Sequence, residues 1–165
     1  MNIGVTGHQK LDDPGGWLWV AEAMRSELSK LSMPFVCITS LAIGADQLFA
    51  TLVLELGGAV HAVLPYKDIE QSFSSDDVGA YRALVQRADI EVLSVSGTNE
   101  DAYLAAGQRV VDLSEVVFAV WNGLPAKDKG GTADVVAYAL NQGTSVVVID
   151  PIQRLVSHSP QSPDQ

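Results

Sequence analysis

A chain of 165 residues with 47% apolar content can bury one sizeable core and is too short for two ordinary enzymatic domains. Its formal charge of −10, with no local Lys/Arg cluster, repels phosphate backbones and anionic lipid and so argues against a nucleic-acid or membrane partner. The one cysteine, Cys37, lies in the apolar run Phe35-Val36-Cys37-Ile38; it excludes an internal disulfide framework and cysteine-rich zinc sites and reads as a buried, inert thiol.

Asn2 to Thr6 is a short apolar strand ended by Gly7, and it starts without the basic region and apolar core of a secretory signal, so cytoplasmic residence is expected. Gly16 to Leu31 sets Leu18, Ala21, Met24, Leu28 and Leu31 at helical spacing. Phe35 to Thr39 predicts a second strand, Ala45 to Leu56 a helix stopped by Gly57-Gly58, and Ala59 to Leu64 a third strand. Pro65 to Gly79 is polar and longer than an ordinary connection, which predicts a solvated connector or a lid. Then come a helix over Tyr81 to Ala88, a strand over Ile90 to Val95 and a helix over Glu100 to Leu113. Val116 to Trp121 is a strongly apolar strand, Asn122 to Gly130 a turn-rich loop, Ala133 to Asn141 a helix and Ser145 to Ile149 a last buried strand. The expected division is a domain over 1–152 and a flexible tail over 153–165.

Strands apolar on both faces, alternating with amphipathic helices, predict a single doubly wound α/β domain: a mainly parallel, Rossmann-like sheet with helices on both faces. In such sheets ligands bind beyond the carboxyl ends of the strands. The segments after the strands are therefore where chemistry is expected.

Lys129-Gly130-Gly131-Thr132 follows the apolar strand and opens a helix, so free backbone N–H groups and the positive end of a helix dipole meet there. Gly130 and Gly131 allow a phosphate close approach, and Thr132 adds a hydroxyl; the bland alternative is a loop with Thr132 as a helix cap. Ser40, Leu41, Gly44 and Asp46 lie on a second strand-to-helix loop, where Ser40 offers a donor and Asp46 either accepts from ribose hydroxyls or compensates the helix dipole. Thr6, Gly7 and His8 end the first strand, with His8 either a turn residue or an acid-base group. Trp121 either stacks on a base or closes the core, and Arg109, the basic residue of its helix, either reaches the cleft or lies on a solvated helix face. His8, His61 and His158 are too scattered to form a metal cluster, and no cofactor is called for.

Gly4-Val5-Thr6-Gly7-His8, Ser40 through Asp46, Leu64-Pro65 and Ala119-Val120-Trp121-Asn122-Gly123 with Gly130-Gly131-Thr132 together resemble the SLOG superfamily, which contains DNA-processing protein A and the LONELY GUY phosphoribohydrolases. The resemblance spans residues 2 to 150. It implies a Rossmann-like domain that holds a nucleotide or nucleotide derivative, often as a homo-oligomer and in some members as a bacterial sensor. The LONELY GUY pattern Pro-Gly-Gly-x-Gly-Thr-x-x-Glu carries a catalytic Glu where this chain has Val135. Asp134 is one position early and turned by about 100° on a helix. Two functions therefore stand: a nucleotide sensor or carrier, and a nucleoside 5′-monophosphate phosphoribohydrolase with Asp134, Asp46 or His8 as acid-base groups.

Overall fold

The computed structural model describes residues 1–159. Seven strands form one sheet: β1 (Asn2–Gly7), β2 (Val36–Thr39), β3 (Ala59–Leu64), β4 (Ala88–Val92), β5 (Val116–Val120), β6 (Ser145–Asp150) and β7 (Leu155–His158). Their order across the sheet is β4-β3-β2-β1-β5-β6-β7, all parallel except the antiparallel β6–β7 pair. Five helices connect them: α1 (Gly16–Leu28), α2 (Ala45–Glu55), α3 (Val78–Val85), α4 (Asn99–Asp112) and α5 (Thr132–Asn141). None is long and apolar enough to cross a membrane.

The sheet is buried on both faces at its centre, and β5 shows how one sequence serves two cores. Val116, Phe118 and Val120 join the cluster under α1, α2 and α3, while Val117 and Ala119 join the cluster under α5. Alternate side chains of a strand point to opposite faces, so an unbroken apolar run is what a doubly covered strand requires. Phe118 meets Phe49 of α2 with ring centroids 5.1 Å apart. On the opposite face Ile38 and Val63 pack under Ala106 and Val110 of α4. The expected fold class is therefore the observed one. Cys37 is fully buried, and burial pushes its thiol well up.

Three expectations are corrected. Leu18 does not face the core: it is 68% exposed, and the buried stripe of α1 runs through Val20, Met24 and Leu28. Two residues of helix separate Leu18 from Val20 by about 200°, so the helix can bury only one of them. The Pro65 to Gly79 connector is not solvated throughout, because it contains a 3-10 turn over Ile69–Ser72 with Ile69 buried, and Phe73 stacks on Tyr81 at 4.5 Å. Finally, the expected tail begins too early. Residues 155–158 are β7, Val156 packs on the core, and Ser159 exchanges two hydrogen bonds with Val146 at 2.8 and 2.9 Å. The pairing satisfies backbone groups that β6 would otherwise leave open at the sheet edge. Residues 160–165 of that tail lie outside the described residues.

Candidate functional site

The strand order reverses between β1 and β5, and the residues just beyond them are drawn together by main-chain bonds. His8 N–H donates to Val120 O at 3.0 Å, and His8 O accepts Ala45 N–H at 3.1 Å, so the start of α2 is docked on the end of β1. Gly7 permits this. A Cβ there would lie 2.7 Å from both the Ala45 and Val120 Cβ atoms. Gly44 has φ +85°, and its own Cβ would meet His8 O at 2.4 Å. Both glycines are places where two backbones need the room of a missing side chain.

The loop from β2 to α2 is held by Asp46. Its Oδ2 accepts the Thr39 hydroxyl at 3.0 Å and the Ser40 N–H at 3.2 Å, while Thr39 Oγ1 accepts the Leu41 N–H and Gln47 donates to Leu41 O, both at 3.0 Å. These bonds hold Leu41 in the left-handed region, φ 57°, which a branched residue adopts only when its surroundings fix it. Burial pushes the Asp46 carboxyl up to about 6, opposed by hydrogen bonds from Thr39, Ser40 and Ala42. Asp46 is thus a positioning group turned into its own loop rather than a free acceptor for a ribose. Leu41 and Pro65 are likewise buried, so they shape the edge of the site from beneath.

At the start of α5, Gly130 has φ +87° and sits against α4, where its Cβ would lie 2.7 Å from Leu104 N. Lys129 pairs with Asp101, whose carboxyl is lowered to about 2 by that ammonium and by the Thr98 N–H and hydroxyl. Gly130 N–H donates to Asp134 Oδ2 at 2.9 Å and Gly131 N–H to Asp128 O at 3.2 Å. Among the described residues, the N–H groups of Thr132 and Ala133 have no acceptor, and α5 has no side-chain cap. Thr132 is the first residue of the helix, with Gly131 at the cap position. The hydroxyls of Thr6, Ser40 and Thr132 make no hydrogen bond among these residues, and every buried side-chain polar atom has a partner, so the three hydroxyls reach solvent. Two N–H groups and three hydroxyls at the carboxyl end of one sheet are a donor set suited to a phosphorylated ligand.

His8 is half-buried, and burial holds its pKa below the usual imidazole value, only partly offset by the Asp150 carboxylate. Trp121 packs beside the α5 cluster, and its indole N–H donates to Leu124 O at 2.8 Å, which braces the loop after β5. Arg109, in the last turn of α4, is committed to β4: it donates to Glu91 at 2.9 Å. Val135 is buried among Val111 and Val117, so no carboxylate projects from that position. Sequence reading missed Tyr66 and Tyr103, whose hydroxyls are 2.9 Å apart although 37 residues separate them. No local pattern could have paired them. Among the described residues no group of three His, Cys, Asp or Glu side chains could hold a metal ion.

No protein-family model matches the chain, and no curated protein matches it by sequence. Solved structures do match it by shape. DNA processing protein A from Streptococcus pneumoniae superposes with a TM-score of 0.63 at 18% identity, over 90% of this chain and 50% of that one. DNA processing protein A from Helicobacter pylori, described by its single-stranded DNA binding mode, gives 0.66 at 15% identity over 100% and 67%. The molybdenum cofactor carrier protein of Chlamydomonas rheinhardtii gives 0.53 at 23% identity over 89% and 74%. The chain spans half the length of the first of these and about two thirds of the second. It shares a Rossmann-like α/β fold with these structures.

Proposed function

We propose that this domain binds a nucleotide or nucleotide derivative as a sensor or carrier, holding its phosphate with the Thr132 and Ala133 N–H groups and the hydroxyls of Thr6, Ser40 and Thr132. The observation that carries the reading is the uncapped start of α5 at the strand-order reversal, with its glycine turn braced against α4. Aligned N–H donors and a helix dipole favour an anion there. Binding without efficient hydrolysis is supported by the commitments of the carboxylates: Asp46 to its own loop, Asp134 to Gly130, and no carboxylate at position 135. The carrier variant draws support from the shared fold of the molybdenum cofactor carrier protein.

A small anion is a better match than a nucleic acid, even though one structural neighbour is described as binding single-stranded DNA. A chain with net charge −10 lacks the cluster of cations whose counterion release drives such binding. Thermal-shift measurements against mononucleotides, dinucleotides, cyclic nucleotides and a single-stranded oligonucleotide test both points. Stabilisation by at least one small nucleotide and none by the oligonucleotide is expected. No shift with any small ligand at millimolar concentration overturns the reading, because a ligand in excess of its Kd must raise stability.

A further inference from the structure

We propose that Tyr66 and Tyr103 form the platform that receives the planar ring of the bound nucleotide. The inference rests on the nucleotide reading above and assigns the part of the ligand that the phosphate donors do not touch.

Position is the first argument. Tyr103 stands in the second turn of α4, and the Tyr103–Leu104 peptide is the surface that Gly130 packs against, 3.0 Å from Tyr103 C and 2.7 Å from Leu104 N for an added Cβ. The Lys129–Asp101 pair ties the same two segments. At its other end Tyr103 meets Tyr66, which follows β3, through hydroxyls 2.9 Å apart and rings 5.9 Å apart tilted by 56°. In the sheet, β1 and β2 lie between β5 and β3. The two rings therefore extend from the glycine turn after β5 toward the end of β3, a separation of three strand spacings or about 14 Å. Between those limits end β1 and β2, which carry Thr6 to His8 and Ser40.

Chemistry is the second. Tyr103 is 37% exposed, so aromatic surface is left open at the rim of the site. Burial of the rest of its side chain and the Tyr66 hydroxyl push the Tyr103 phenol up to about 12, which keeps it a neutral donor. The connector after β3 does not need the pair as an anchor, because Ile69 is buried and Phe73 stacks on Tyr81. An open aromatic face accepts any heterocycle, and two adjacent hydroxyls offer a donor and an acceptor to its edge.

Isothermal titration of the full chain with the four nucleoside 5′-monophosphates and with ribose 5-phosphate, which lacks the ring, tests the assignment. The wild type should bind its preferred monophosphate more tightly than ribose 5-phosphate. Tyr103→Ala should weaken the monophosphate about ten-fold while leaving ribose 5-phosphate within about two-fold, and Tyr103→Phe should retain most of the affinity. Tyr66→Ala, outside any helix, carries the same comparison if Tyr103→Ala does not fold. Equal loss for both ligands, or loss for neither, overturns the platform. Equal wild-type affinity for the monophosphates and ribose 5-phosphate overturns the platform and leaves the phosphate seat standing. Binding of none of them, nor of any dinucleotide or cyclic nucleotide, overturns both.

Discussion

Asp134 accepts the Gly130 N–H across the first turn of α5, Oδ2 to N at 2.9 Å, so the helix carries a carboxylate of its own beside the seat assigned to a phosphate. An Asp in the first turn compensates the helix dipole and also repels an incoming anion. Asp134→Asn removes the charge while keeping an oxygen for Gly130. Nucleotide affinity should rise about two- to five-fold, measured by titration calorimetry. In the phosphoribohydrolase reading the same variant would instead abolish release of free base from a nucleoside 5′-monophosphate, so one protein separates the two functions.

Asp46 gives the molecule a pH signature. Its folded pKa, about 6, lies above the ordinary aspartate value, so between about pH 4 and pH 6 the native state holds more protons than the unfolded state. Stability from this group is therefore fully present below about pH 4, falls as pH rises toward 6 and is level above it. Asp46→Asn lacks this slope. The stability difference between wild type and Asp46→Asn, followed by urea denaturation from pH 4 to pH 7, should move in favour of the variant by on the order of 2 kcal/mol. A difference that stays flat with pH would contradict the burial of an ionisable carboxyl at this site.

Gly44 and Gly57 both have positive φ, +85° and +79°, yet only Gly44 faces a backbone: a Cβ on Gly57 meets nothing within 4 Å. Gly57→Ala should lose about 1 kcal/mol from left-handed strain alone. Gly44→Ala adds collision with His8 O and Gln9 Cα and should lose about 3 kcal/mol or more. Chemical denaturation of the two variants side by side checks the contrast. Because Gly44 joins the loops after β1 and β2, its variant should also lose ligand affinity while Gly57→Ala keeps it.

A chain ending at Gln153 removes β7. It opens the edge of β6, deprives Val146 of Ser159, and leaves Glu27, only 6% exposed, with Lys30 but without His158. Burial pushes the Glu27 carboxyl up, but hydrogen bonds from Lys30 and His158 outweigh it and hold the group below its usual range. The truncated chain should lose about 2 to 4 kcal/mol in urea denaturation, the sum of a few net hydrogen bonds and the exposure of Val156's contact. An unchanged midpoint would mean that β7 is an ornament on the sheet.

The legible features were local ones. Val116 to Val120 reads as a doubly buried strand because every residue in it is apolar, and Gly130-Gly131-Thr132 reads as a helix start because glycines and a hydroxyl residue follow such a strand. Leu18 was misread because helical spacing gives a stripe without saying which of two overlapping stripes meets the sheet. β7 was misread because Val156 is the one residue of that strand that packs on the core, too little pattern to announce a strand.

The alternation of strands and helices, the doubly covered sheet and the turns at which chemistry is expected each follow from side-chain period and backbone freedom within a few residues. The side chains within those turns take their partners from long-range packing. That packing sent Arg109 to Glu91 and brought Tyr103 to Tyr66, while Asp46 and Asp134 turned to the loops beside them rather than to the cleft. A carboxylate, a guanidinium or a phenol has several partners within its reach. Which one it takes depends on packing between segments distant in the chain, and that packing carries no local signature.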